Sequence, residues 1–260
     1  MTEGNHSTPE IILGDAIAFM KTLPDGSVDA IITDPPYGLE EFSKGRGHAR
    51  ASLGRANHVD DGWDDMESTE SVVDQYMCEA TRVLKKKGNL FQFCSFESIG
   101  RLVNTAPSQL YYKTCGVWHK TNPIPINMKI RYVNSVESWI HWVNGAKTGT
   151  FNSNGKPVHN FIETGLTPAG EKKNGKHSTQ KPLSVMRWAV EVLTNPGDLI
   201  LDPFAGSGST LLAAKECGRR SIGVELDENY CQIIAGRTGG VIRGVNERGF
   251  PQHHNEEEAA

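Results

Sequence analysis

No stretch of this 260-residue sequence approaches the roughly 18 consecutive apolar residues of a membrane span. Its start, Met1-Thr2-Glu3-Gly4-Asn5-His6-Ser7, has neither a basic cluster nor a signal-type apolar block, so a soluble cytoplasmic protein is expected. Cysteine is scarce: the five residues Cys78, Cys94, Cys115, Cys217 and Cys231 form no Cys-x-x-Cys pair, which argues for reduced thiols and against a disulfide framework or a zinc site. The nine histidines show no ligand spacing, and no metal is expected. The chain also lacks a Gly-Lys-Ser/Thr after its glycine-rich turn, which excludes a P-loop.

Positive charge is not in excess overall, since the formal net charge is −4, but it is segregated. From Lys113 to Arg187 eleven Lys and Arg face only Glu137, Glu163 and Glu171, a balance of +8 that leaves the remainder at −12. A second basic island, Lys44, Arg46, Arg50 and Arg55, contains no acid. A polyanion would find a face here rather than a whole surface, with binding that weakens steeply in salt. The candidate nucleic-acid contacts are that island together with Lys120, Lys129, Arg131, Lys172, Lys173 and Lys176; a solvated lysine-rich surface is the alternative.

The length and the 37% hydrophobic content suit one large α/β domain with an insert. Ile11-Ile12-Leu13 reads as a short strand, Ala16 to Thr22 as a helix, and Val28 to Thr33 as a strand covered on both faces. Ser71 to Leu84 has helical spacing, with Lys85-Lys86-Lys87-Gly88 at its C-terminus, where cations and glycine belong. Leu90 to Cys94, Tyr111 to Trp118 and Ser138 to Val143 read as strands, and Ile99 to Thr105 and Pro182 to Leu193 as helices. From Gly38 to about Asp65 no period holds; such long loops are usually functional, and this one is expected to order on nucleic acid and close over the site. From Asn144 to Lys176 neither period persists.

Two stretches carry chemistry. The first is Thr33-Asp34-Pro35-Pro36-Tyr37, at the end of the strand Val28 to Thr33. Consecutive prolines fix their own φ angles and remove two donors, so the ribbon is stiff and its carbonyls are available. An exocyclic amine on a nucleobase is a poor nucleophile because its lone pair is delocalised into the ring. The Asp34 carboxylate and the Pro35 carbonyl can each accept one of its N–H groups, which aims the lone pair at a methyl donor by preorganised electrostatics. Tyr37 offers a ring face for the base, worth about 1–3 kcal/mol. The alternative is a plain turn, since Asp and Pro favour turns.

The second stretch is the strand Leu199-Ile200-Leu201-Asp202, then Pro203-Phe204-Ala205-Gly206-Ser207-Gly208-Ser209-Thr210, then a helix from Leu211 to Glu216. Strand, glycine turn and helix start form a nucleotide pocket. Glu225 stands twenty-three residues after Asp202 at the tip of the strand Ser221 to Val224, placed to hold a ribose diol. Leu211 occupies the position of the third glycine of the dinucleotide fingerprint, so a nucleoside with a positive centre fits better than a dinucleotide. S-adenosylmethionine meets that description, and NAD less well.

On these residues the sequence resembles the amino-group DNA methyltransferases of the permuted beta group, in which Asp-Pro-Pro-Tyr precedes Asp-Pro-Phe-x-Gly-x-Gly-x-Thr. Gly14-Asp15, Arg82-Val83-Leu84, Trp118-His119-Lys120-Thr121-Asn122-Pro123 and His177-Ser178-Thr179-Gln180-Lys181-Pro182 agree, with Ser178 where the family usually has proline. The resemblance implies a seven-stranded, Rossmann-like, mostly parallel sheet with one antiparallel strand. It implies a domain over 10–245, made of a catalytic half 10–122, a target-recognition insert at about 123–176 and a cofactor half 177–245, with flexible tails 1–9 and 246–260. Asp34, Pro35, Pro36 and Tyr37 would be catalytic. The cofactor would lie along Asp34, Asp202, Pro203, Phe204, Ala205, Gly206, Ser207, Gly208, Ser209, Thr210, Glu225 and Leu226, with Asp15 at its adenine and Ser178, Thr179 and Lys181 at its methionine end. Asp15 reads equally as a helix N-cap, and Lys181 as a surface charge.

The implied activity is site-specific transfer to adenine N6 in duplex DNA with base flipping, because Asp stands where N4-cytosine enzymes more often have Ser. An N4-cytosine enzyme, an RNA or protein methyltransferase and a non-catalytic DNA-binding subunit are the alternatives; homodimers are common in the family, and a restriction endonuclease partner is conceivable. If the insert binds phosphates, neutralising Lys172, Lys173 and Lys176 lowers the slope of log affinity against log salt by about 1 for each phosphate that is no longer neutralised, and an unchanged slope places those lysines off the DNA.

Overall fold

A computed structural model describes residues 8–36, 66–125, 132–175 and 179–244, without the side chains of 66–70. In chain order the elements are β1 (Glu10–Leu13), α1 (Ala16–Thr22), β2 (Val28–Thr33), α2 (Met66–Val83), β3 (Leu84–Cys94), α3 (Ile99–Thr105), β4 (Leu110–Lys120), β5 (Val136–Asn144) and β6 (Phe161–Thr164). A 3-10 turn (Ala169–Lys172), α4 (Leu183–Leu193), β7 (Leu199–Asp202), α5 (Ser209–Glu216), β8 (Arg220–Glu225), α6 (Glu228–Thr238) and β9 (Val241–Gly244) complete it. All strands join one sheet of order β6-β4-β5-β3-β2-β7-β8-β1-β9.

Among the described strands only β5 runs against its neighbours, pairing antiparallel with both β3 and β4 while β4 and β6 are parallel, so the single reversed strand that the family resemblance implies is present. The strand number is nine among the described residues rather than seven. The additions, β6 and β9, are four-residue edge strands held by one neighbour each, β4 and β1. Neither carries enough apolar residues to announce itself. β5 and β6 also fall inside the 123–176 stretch, so that stretch is part sheet rather than wholly an appended insert.

Alternation along the strands divides the interior into two layers. Ile31, Leu90, Ile140, Trp142, Leu201 and Val224 pack under α1, α2 and α3; Ile32, Phe91, Phe93, Trp118, Trp139 and Ile200 pack under α4 and α5. A smaller cluster of Ile11, Ala205, Leu211, Cys231 and Ile234 seats α6.

The lysine run departs from expectation. The helix ends at Val83, and Lys85 to Gly88 belong to β3, as an excursion between the pairs Val28↔Leu84 and Ala30↔Asn89. Lys87 takes a φ of 72° there, and Lys85 is bound to Asp29 at 2.6 Å. A bulge of this kind needs the neighbouring strand to exist, which helical spacing alone does not reveal. The loop from Gly38 to Asp65 and the tail from Asn246 lie outside the described residues. Among those described, no helix is long and apolar enough to cross a membrane, and no cluster of three His, Cys, Asp or Glu is placed to hold a metal.

His141 of β5 is buried, with Nε2 2.9 Å from Asn89 Oδ1, while the Asn89 amide donates to the carbonyls of Thr150 at 2.9 Å and Leu193 at 2.7 Å. Burial, with a small contribution from Lys113, lowers the imidazole to about 4. The unfolded chain takes up the proton near 6.5, so this pair contributes fully above that pH and the contribution is lost as pH falls towards 4, up to roughly 3 kcal/mol. Denaturation at pH 7 and pH 4.5 should therefore show the advantage of wild type over His141→Gln shrinking in acid, and a pH-independent difference would contradict the assignment.

Candidate active site

The two stretches singled out in the sequence meet at the carboxyl edge of the sheet. β2 and β7 are adjacent and parallel, in register at Ala30↔Ile200 and Ile31↔Leu201. Their ends are joined side chain to side chain: Thr33 Oγ1 donates to Asp202 Oδ1 at 2.6 Å, and the Phe204 amide donates to the same oxygen at 3.2 Å. Asp202 is buried, and burial raises its carboxyl to about 6 against the pull of bonds from Thr210, Thr33 and the Phe204 amide, with Asp34 adding to the rise. Its carboxylate ties the turn together from within.

Beyond Asp202 the chain turns sharply. Gly206 and Gly208 have φ of 52° and 76°, in the left-handed region that side chains disfavour, and a Cβ on Gly208 would lie 2.7 Å from Ile234 Cγ2. Pro203, Ala205, Ser207, Ser209 and Thr210 are buried, whereas Phe204 and Gly206 are half-buried at the rim. The Ser207 carbonyl accepts from the Arg237 guanidinium, which fixes the turn against α6. Tyr76 of α2 packs edge-on against the Phe204 ring with centroids 5.4 Å apart. Its hydroxyl is buried with no hydrogen-bond partner among the described residues, and burial followed by the nearby Asp202 pushes the phenol well above its ordinary range.

Glu225 ends β8 beside this turn. One carboxylate oxygen accepts the Gly206 amide at 2.8 Å and the other the Asp227 amide at 3.0 Å. Burial raises the carboxyl despite these donors, so it keeps strong appetite for further hydroxyl donors on its remaining lone pairs. Leu226, 69% exposed, projects next to it. Asp15 lies at the adjoining strand end: Gly14 donates to the Glu225 carbonyl at 3.0 Å, and the Asp15 carboxylate caps α1 through the Ala18 amide at 2.7 Å. The N-cap reading of Asp15 therefore describes what its side chain does here.

On the other flank Asp34 follows β2, with Pro35 buried and Pro36 half-buried. Lys181, just before α4, directs its ammonium at Asp34 Oδ2, and lies 3.1 Å from Glu137 Oε2 and 4.7 Å above the Phe93 ring. The Lys181 carbonyl accepts from Ser209 Oγ at 2.8 Å, so one residue touches both stretches. Burial would lower the Lys181 ammonium, but Asp34 and Glu137 hold it above the ordinary lysine range. It is 7% exposed, which excludes the surface-charge reading.

Lys120 needs a correction of the same kind. It is buried, paired to Glu137 Oε1 at 2.7 Å and 5.4 Å from the Trp118 ring centroid, so its charge faces inward rather than towards a phosphate. Lys173 is exposed and Lys172 half-buried at the 3-10 turn, and Thr179 is exposed. Tyr37, Lys44, Arg46, Arg50, Arg55, Lys129, Arg131, Lys176 and Ser178 lie outside the described residues. Sequence reasoning missed Glu137 as a site residue; the signal that could have found it is a rare acid in a strongly basic stretch.

A mostly parallel sheet with a glycine turn, an acidic strand end and a second carboxylate along one edge defines a Rossmann-like transferase site. The chain belongs to the DNA methylase family, whose N6/N4 model matches residues 28–236 and whose methyl donor is S-adenosylmethionine. It is 30% identical over 245 residues to the type II methyltransferase M.HinfI of Haemophilus influenzae, covering 87% of this chain and 67% of that protein. It is 32% identical over 255 residues to the type II methyltransferase M2.DpnII of Streptococcus pneumoniae, covering 91% and 92%. Among solved structures, the M1.HpyAVI–SAM complex superposes with a TM-score of 0.63 at 29% identity, over 88% of this chain and 98% of that one. The cytosine-N4-specific PvuII DNA methyltransferase shares the fold, with a TM-score of 0.70 at 17% identity over 89% and 86%.

The Thr33–Asp202 bond is the seam of this site, and a hydrogen bond to a charged group contributes about 1.5–3 kcal/mol. Thr33→Val should lower the urea midpoint by a corresponding amount while preserving shape; an unchanged midpoint would show that the seam contributes nothing.

Proposed function

We propose that this protein methylates adenine N6 in duplex DNA at a specific site. The observation that carries the reading is the placement of Asp34 beside the Phe204–Gly208 turn, tied there through Thr33 and Asp202 and through Lys181 and Ser209. The residues of the turn fit S-adenosylmethionine: Glu225 is oriented for ribose hydroxyls, Leu226 and Phe204 present apolar surface, and the left-handed glycines let backbone approach closely. Bound there, S-adenosylmethionine supplies an electrophilic methyl carbon on a sulfonium.

The chain's own work is on the amine. Asp34 accepts one N–H of the target amine and the Pro35 carbonyl accepts the other, so the nitrogen lone pair turns out of the ring plane towards the turn. Methylation would give the nitrogen a fourth bond in place of the carbon–sulfur bond, leaving a neutral thioether, and the N–H held at Asp34 is the one placed to pass its proton to that carboxylate. The base must be extruded to reach this edge, since its amine lies within the duplex stack. Asp at the head of Asp34-Pro35-Pro36-Tyr37 supports adenine rather than cytosine on the family resemblance.

Asp34→Ala should lower turnover by at least about a hundredfold while S-adenosylmethionine affinity stays within a few-fold, because the acceptor is lost and the turn is not. Near-normal turnover would remove Asp34 from the chemistry. Mass spectrometry of nucleosides from treated DNA reads the base directly: N6-methyladenine is expected, and N4-methylcytosine would replace the adenine assignment with the alternative of the same fold.

A further inference from the structure

Four charged side chains lie in a row along the carboxyl edge of the sheet, alternating in sign. Asp34 leaves the end of β2, Lys181 reaches over Phe93 of β3, Glu137 stands at the start of β5, and Lys120 ends β4. Because β5 is the reversed strand, its first residues arrive at the edge where its neighbours finish, with Glu137 opposite Trp118. Glu137 divides its carboxylate, Oε1 to Lys120 at 2.7 Å and Oε2 to Lys181 at 3.1 Å. Lys181 in turn contacts two carboxylates.

This arrangement solves a conflict within the proposed chemistry. Asp34 must accept an N–H from the target amine, yet it is also a partner of a buried ammonium, and an ammonium stripped of its counter-charge in the interior is strongly destabilising. With Glu137 present the row is neutral, two carboxylates against two ammoniums. Without it, Lys181 would lose one of its two carboxylates and hold the oxygens of Asp34 more tightly.

Resting on the reading that Asp34 receives the target amine, we propose that Glu137 is a positioning residue for methyl transfer: it carries the Lys181 ammonium while Asp34 turns an oxygen to the incoming base. Glu137 touches no reacting atom and acts through Lys181. Lys120 holds the other Glu137 oxygen and leads directly into Thr121-Asn122-Pro123, so the row also anchors the chain that departs between β4 and β5.

The test is Glu137→Gln, which keeps the shape and removes the charge. The expected result is a kcat lower by about ten- to a hundredfold, with dissociation constants for S-adenosylmethionine and for target duplex each within about threefold of wild type, the order of change expected when neither ligand is touched by the substituted group. Glu137→Asp should recover part of the loss. In a Lys181→Met background, Glu137→Gln should cost no more than about a further threefold, since a residue that acts through another is non-additive with it. Should Glu137→Gln alone fail to fold, the double variant, in which one charge of each sign is removed, keeps this comparison available. A kcat for Glu137→Gln within threefold of wild type, or losses that multiply in the double variant, would overturn the proposal. Wild-type transfer to DNA in the same assay bears on the proposed function alone, whereas the variant ratios bear on Glu137.

Discussion

The site depends on one parallel strand pairing, β2 against β7. The two strands are far apart in the chain, and the Thr33–Asp202 bond spans 169 positions. Their adjacency sets a carboxylate and a glycine turn side by side at a single edge. In an open α/β sheet the carboxyl ends of neighbouring strands face the same way, so whatever follows each strand converges. The order of the halves along the sequence is then immaterial to the chemistry, provided both strands enter the sheet next to each other.

The buried charges belong to the same constraint. A buried ion pair is weak evidence for stability, because desolvation offsets most of the Coulomb attraction, but it is demanding in geometry once made. Lys181 illustrates this: its ammonium is held by Asp34 and Glu137, and its carbonyl by Ser209 at the start of α5. Burial raises Glu137 less than Lys181 and Lys120 lower it, so the carboxyl stays below its ordinary range and remains charged. Glu137 therefore keeps its negative charge across the neutral range, facing a Lys181 ammonium that its carboxylate neighbours hold in the charged form. Reversal of β5 is what brings the start of that strand, and with it Glu137, to this edge.

Much of this was legible in the sequence wherever the signal was local. Asp34 after an apolar run, glycines after Asp202 and Glu225 at a strand tip are patterns within a few residues of one another, and the structure brings all three to one edge. Pairings between elements were not legible. Lys120 and Glu137 looked like members of a basic, solvent-facing stretch until the pairing of β4 with β5 brought their side chains together, and Lys181 kept two readings until its burial was known. The run Lys85 to Gly88 satisfied the rules for a helix end, yet the pairing of β3 with β2 took it into a bulge. Edge strands β6 and β9 were missed because one-sided pairing demands few apolar residues. Asp15 shows the converse, since a capping geometry visible in the sequence is what its side chain makes.

The central claim is spatial: the methyl donor and the amine acceptor occupy opposite sides of one hollow at the ends of β2 and β7. A crystal structure of the protein with S-adenosylhomocysteine and a duplex carrying the target base tests it most directly. The account predicts the sulfur between the Phe204–Gly208 turn and Asp34, the ribose at Glu225 and the extruded amine against the Asp34 carboxylate. A ligand seated elsewhere, or a target amine out of reach of Asp34, would contradict it.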